Sequence, residues 1–124
     1  MEKLLNYING ELIEPQSKQY LDNYNPSKGE VYSLIPDSDA TDVELAVKAA
    51  KAAFPSWSVT PKEERYKIIM RLVDLIEQNL DMLAAAESKD NGKPLKLAQI
   101  VDIPRAASNF RFYATGILHF ASES

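Results

Sequence analysis

Arg105 follows Pro104 in a stretch, DIPRAASNFRFYATG, that otherwise reads as an apolar helix. At helical spacing Ile103, Ala107, Phe110, Ala114, Ile117 and Leu118 form one apolar stripe. Arg105, Ser108, Asn109 and Phe112 stand on the opposite side, with Arg105 about 200° round the helix from Ile103. A guanidinium is a planar, permanently charged fork that matches both oxygens of a carboxylate. On most helices an arginine so placed is simply solvated. Phe112 on the same face weighs against that reading, because a large aromatic ring usually has something to pack against.

Much chemistry is closed to this chain. It has no cysteine, which excludes a disulfide, a thiolate metal site and a cysteine nucleophile within it. Its one histidine, His119, cannot build a zinc site of the usual kind, and near the end of the last helix it is a poor member of a Ser-His-Asp triad. Asp90 opens the run Asp90-Asn91-Gly92-Lys93-Pro94, where an aspartate can organise a turn by accepting from local N–H groups.

The bulk properties are those of a globular protein. Of 124 residues, 45% are hydrophobic and 26% charged, enough for one modest core. The formal net charge of -4, without a basic stripe, gives no footprint for nucleic acid. No apolar run approaches the ~20 residues of a membrane helix. MEKLLNYING carries charge at once and lacks the apolar core of a secretory signal. The expectations are no nucleic-acid partner, no membrane partner and a cytoplasmic location.

The positioning elements follow from turn and cap chemistry. Asn9-Gly10 between Tyr7-Ile8 and Leu12-Ile13 predicts a β-hairpin with a type I′ turn. A second extended pair, residues 20–24 and 31–35, flanks Asn25-Pro26-Ser27-Lys28-Gly29. Thr41-Asp42-Val43-Glu44 reads as a capping box, and Val43, Ala46, Val47, Ala50, Ala53 and Phe54 as the apolar face of a helix stopped by Pro55. Thr60-Pro61-Lys62-Glu63 reads as a second box. Ile69, Leu72, Val73, Ile76, Leu80 and Leu83 mark the buried stripe of the next helix, with a bend or restart at Asn79. Gly92 and Pro94 end that region, and Pro104 predicts a break or fresh start near Asp102. Strands thus occupy 4–35, and three to four helices occupy 41–120.

In order and spacing these landmarks resemble the N-terminal region of the NAD(P)-dependent aldehyde dehydrogenase superfamily. The resemblance rests on Tyr7-Ile8-Asn9-Gly10, on Asn25-Pro26-Ser27-Lys28-Gly29-Glu30-Val31, and on Phe54-Pro55-Ser56-Trp57. Glu64-Arg65, Leu75-Ile76-Glu77, Asp90 to Pro94, and Phe110-Arg111-Phe112-Tyr113-Ala114 continue it. The stretch from Asp102 to Gly116 is similar to the branch that oxidises 2-aminomuconic and 2-hydroxymuconic semialdehydes.

The resemblance implies an α/β parent fold in which residues 1–124 are the N-terminal part of the nucleotide-binding domain. It implies a parent that oxidises a small-molecule aldehyde to an acid with NAD or NADP, through a cysteine nucleophile and a glutamate base. Those two residues and the remaining cofactor-binding segments have no counterpart here, so no catalytic and no cofactor-binding residue is expected in this chain. The isolated chain is expected to be an inactive fragment without bound cofactor. By the same resemblance, Arg105, Asn109 and Phe112 are the candidate substrate-binding residues, Arg105 on the substrate carboxylate with a structural salt bridge as its alternative. The backbone carbonyls of Asn23 and Tyr24 with Asp90 are candidate ligands of a monovalent cation. Exposed apolar faces imply homo-oligomerisation of the isolated chain. The alternative is a stand-alone helical interaction module derived from such an enzyme.

Overall fold

A computed structural model of the chain describes residues 1–120. Asn9 and Gly10 both take positive φ, 54° and 82°, and join β2 (Asn6–Ile8) to β3 (Glu11–Ile13) as a two-stranded hairpin. Positive φ at both central residues is what a type I′ turn requires. β4 (Tyr20–Asn25) and β5 (Glu30–Pro36) pair antiparallel around the Asn25–Gly29 turn. There the carbonyl of Asn25 accepts from Gly29 N–H at 2.8 Å, and its side-chain Oδ1 accepts from Ser27 N–H at 3.0 Å. β1 (Glu2–Lys3) adds in parallel on the other edge of β5, with Glu2 opposite Ser33. That parallel pair was not expected, since nothing local signals a two-residue strand with a partner some thirty positions away.

Two compact units emerge, Met1–Val59 and a second that begins at Thr60. The first holds both sheets and α1 (Ala40–Ser58). The cap of α1 corrects the expected box at Thr41 and Glu44. Asp39 is the N-cap and accepts from the N–H groups of Thr41 and Asp42, while Asp42 reaches back to the N–H of Asp39. Asp42 wins because its carboxylate also accepts from Gln16 N–H at 3.0 Å, a tertiary contact invisible to a local pattern. Pro55 does not stop α1 as expected. It lies in the last turn, so its missing N–H forfeits only the bond to the Lys51 carbonyl, and Ser58 Oγ donates to the Pro55 carbonyl. The expected apolar face of α1 is not buried: Val43, Val47 and Phe54 are 60%, 45% and 66% exposed.

The second unit is helical. α2 (Lys62–Gln78) corrects the expected box, with Thr60 as the cap and Pro61 as the first helical residue: Pro61 is itself the N-cap, without a side-chain cap bond, and its carbonyl accepts from Glu64 and Arg65 N–H. The chain restarts after Asn79 as α3 (Leu80–Asn91), as its end preference predicts. Gly92, at φ 77°, supplies the left-handed C-cap. α4 (Leu95–Leu97), a π-turn (Ala98–Asp102) and α5 (Ile103–His119) then run on without interruption. Where a break or fresh start near Asp102 was expected, the helix widens through Asp102 and α5 begins at Ile103. The N–H of Ile103 bonds back five residues to the carbonyl of Ala98, and this slack accommodates a proline without ending the helix.

α2 and α5 pack on each other. Val73 is fully buried, and on α5 the buried residues are Ala107 and Ala114. Phe110 and Leu118, expected in the same stripe, stay 42% and 37% exposed, because small residues at the contact let the helices approach and leave larger neighbours at its rim. Arg111 on α5 pairs with Glu77 on α2 at 2.6 Å. Among the described residues no helix is long and apolar enough to cross a membrane.

Candidate substrate-binding face

The phase of α5 is set by Ala107 and Ala114, seven residues apart and both buried. Seven residues are close to two full turns, so the two alanines lie on one line. Arg105, Asn109 and Phe112 fall on another line by the same arithmetic. All three are exposed, Phe112 by 70%. Among the described residues Arg105 makes no ion pair, whereas Arg111, further along and turned toward α2, does. The alternative role of Arg105, a salt bridge to a carboxylate elsewhere in the parent fold, involves a partner outside this chain. Phe112 meets Tyr113 edge to face, with ring centroids 5.3 Å apart and planes at 88°. The face thus offers a cation, an amide and an aromatic ring along about two turns of one helix.

The cation candidates fall in different units. Asn23 and Tyr24 belong to β4, where the register with β5 shifts between them, so Tyr24 stands opposite Val31 while Asn23 stands opposite Ser33. The side-chain amide of Asn23 donates to Tyr32 Oη at 3.0 Å and to buried Ser33 Oγ at 3.1 Å. Asp90 lies in the last turn of α3, exposed. Among the described residues no group of three or more histidine or carboxylate side chains is placed to hold a metal ion.

A further contact near this face has no signature in the sequence. Lys93 Nζ and Asp102 Oδ2 form a 2.7 Å ion pair with side chains 33% and 25% exposed. It joins the loop after α3 to the last residue of the π-turn, three positions before Arg105. Nine residues apart and across an irregular helix, the pair carries no i, i+4 signal.

Residues 12–124 match the Aldehyde dehydrogenase family, and the chain belongs to that family. It is 52% identical over 120 residues to 2-aminomuconic semialdehyde dehydrogenase of Bos taurus and 49% identical to that of Homo sapiens, in each case over 97% of this chain and 24% of the relative. The chain thus spans about a quarter of the length of the curated relatives it matches. The solved structure of the NAD+ complex of aldehyde dehydrogenase from Bacillus cereus superposes with a TM-score of 0.94 at 34% identity, over 99% of this chain and 26% of that one. The mixed strand and helix architecture is therefore that of the aldehyde dehydrogenase fold.

Proposed function

We propose that this chain forms the N-terminal part of an enzyme that oxidises an aldehyde bearing a carboxylate at its far end, of the muconic semialdehyde type, to an acid with NAD or NADP. The observation that carries this reading is the uncommitted Arg105, with Asn109 and Phe112, on the exposed face of α5. Half-identity to proteins named for a semialdehyde of that kind supports it. Arg105 holds the carboxylate through its fork, Asn109 offers a polar contact, and Phe112 lines the apolar stem of the substrate.

The chain supplies no cysteine nucleophile, having no cysteine. Nor do its residues fit a dinucleotide: Gly10, Gly29 and Gly92 close turns, and Gly116 lies inside α5, so no glycine-rich strand-to-helix turn cradles a phosphate among the described residues. NAD or NADP chemistry belongs to other parts of the proposed enzyme, and the isolated chain turns over no aldehyde. The carbonyls of Asn23 and Tyr24 and, separately, the Asp90 carboxylate are each proposed as ligands of a monovalent cation on the resemblance alone. Exposed Val43, Phe54 and Phe112 leave apolar surface for the rest of such a fold, or a second copy of the chain, to cover.

The test is kinetic. In the enzyme that contains this chain, Arg105→Ala is expected to cut kcat/KM for adipic semialdehyde by ~1.5–3 kcal/mol, the range for a lost hydrogen bond to a charged group. Hexanal, of equal length and neutral, is expected to be nearly unaffected. Equal losses on both aldehydes would make Arg105 structural and remove the main support for a carboxylated substrate.

A further inference from the structure

We infer that the Lys93–Asp102 ion pair positions Arg105, by holding the π-turn at a fixed rotational offset from α5. This deepens the reading above and rests on it. A π-turn adds a residue to a helix, and relaxing it to regular α-helix rotates the downstream helix by about 100° relative to the upstream one. Arg105 stands at this junction. Behind it, Ile103 N–H closes the wide turn on the carbonyl of Ala98, a fully buried residue. Ahead of it, buried Ala107 and the Arg111–Glu77 pair lock α5 to α2. The change of phase between the two helical segments falls on residues 98–105.

Two side-chain links tie that segment to α3 and its C-terminal loop. Gln99 Nε2 donates to Asp81 Oδ1 at 3.0 Å, and Lys93 Nζ donates to Asp102 Oδ2 at 2.7 Å. Lys93 is itself held at both backbone ends. Its N–H donates to Asn91 Oδ1 at 2.8 Å, and its carbonyl accepts from Ser88 Oγ at 2.6 Å. The ammonium thus reaches the Asp102 carboxylate from an anchored backbone. Half-buried and charge-assisted, the contact is stronger than an exposed pair. Pro104 completes the device: with φ preset and no N–H, it favours the wide turn over regular helix. Lys93 and Asp102 touch no substrate in this scheme. They decide where the guanidinium of Arg105 leaves the backbone.

The experiment compares variants of the enzyme that contains this chain on adipic semialdehyde and hexanal. Asp102→Asn and Lys93→Met are each expected to lower kcat/KM for adipic semialdehyde by about ten- to a hundredfold, the cost of small misplacements in a site. Hexanal is expected to change by less than about twofold, and Lys93→Arg to keep most of the activity. In an Arg105→Ala background the same variants are expected to cost nothing more, since there is no longer a fork to aim. Equal losses on both aldehydes, or undiminished losses without Arg105, would overturn the inference and make the pair purely structural. A selective loss on adipic semialdehyde in Arg105→Ala, with no such selective loss in Asp102→Asn, would overturn it and leave the substrate reading standing. Equal losses on both aldehydes in Arg105→Ala would remove the substrate reading itself, and the inference with it. Should Lys93→Met fail to fold, Lys93→Gln takes its place with the same expectations.

Discussion

The two units of this chain are held together by different means. In the first, the buried residues are Pro15, Ser33 and Asp42. In the second they are Val73, Ala84, Ala98, Ala107 and Ala114. One interior is organised around hydrogen-bonded polar groups and strand pairing, the other around close contact of small apolar side chains. A buried carboxylate is unforgiving, because removing it strands every donor it served. A buried valine or alanine loses transfer and packing energy in proportion to its size. The strand-rich unit is therefore expected to be fragile at single points and the helical unit to be graded.

The largest effect expected from this contrast is at Asp42. Its side chain accepts from Gln16 N–H and Asp39 N–H and is 3% exposed. Asp42→Ala is expected to destabilise the first unit by about 3 kcal/mol, from lost charge-assisted bonds to stranded N–H groups. Hydrogen exchange read residue by residue should accelerate across 13–42 and leave α2 and α5 protected. Equal acceleration in both units would erase the contrast. Next is Val73, fully buried on α2. Val73→Ala is expected to cost about 2 kcal/mol, from lost burial and a small cavity, with faster exchange in residues 62–119 and unchanged strands. Val73→Ile tests the same contact for overpacking, and tolerance of both changes would mean the helices are less tightly fitted than the burial implies.

The smallest effect is electrostatic and belongs to the first unit. A hydrogen bond from Lys18, and then its charge, hold the Glu14 carboxyl below its ordinary value of 4.5. The folded state binds this proton less readily than the unfolded one. The contribution is therefore present above pH 4.5 and is lost as pH falls through the lowered value. Both groups are exposed, so the pair is worth little. Lys18→Met should flatten the acid limb of the stability curve below about pH 4 slightly. An unchanged limb would mean that the pair contributes nothing.

Local chemistry carried far along this chain. Asn9-Gly10 and Asn25 to Gly29 make the expected turns, Gly92 makes the expected cap, and Asn79 marks the expected restart. The face of Arg105, Asn109 and Phe112 was also legible, since it needs only helical spacing and a known stripe. The misses share one origin. Thr41 looked like a cap, and Asp39 took the place once Asp42 was engaged by Gln16, twenty-six residues away in the chain. Val43 and Phe54 looked like core, and their own unit offers only a three-stranded and a two-stranded sheet. Phe110 looked buried, and two alanines took the contact.

Sequence alone therefore determined backbone dihedrals that are forced within a few residues, the positive φ at Asn9, Gly10, Gly29 and Gly92. Those energies are local, and any compact fold must respect them. Tertiary structure alone decided which apolar residues lose water, that β1 pairs with β5, and that the helix widens through Asp102 where a break or fresh start was expected. It alone brought Lys93 to Asp102. Each of these depends on groups that meet only after distant segments pack, and the free energy of that packing does not reside in any short stretch of the chain.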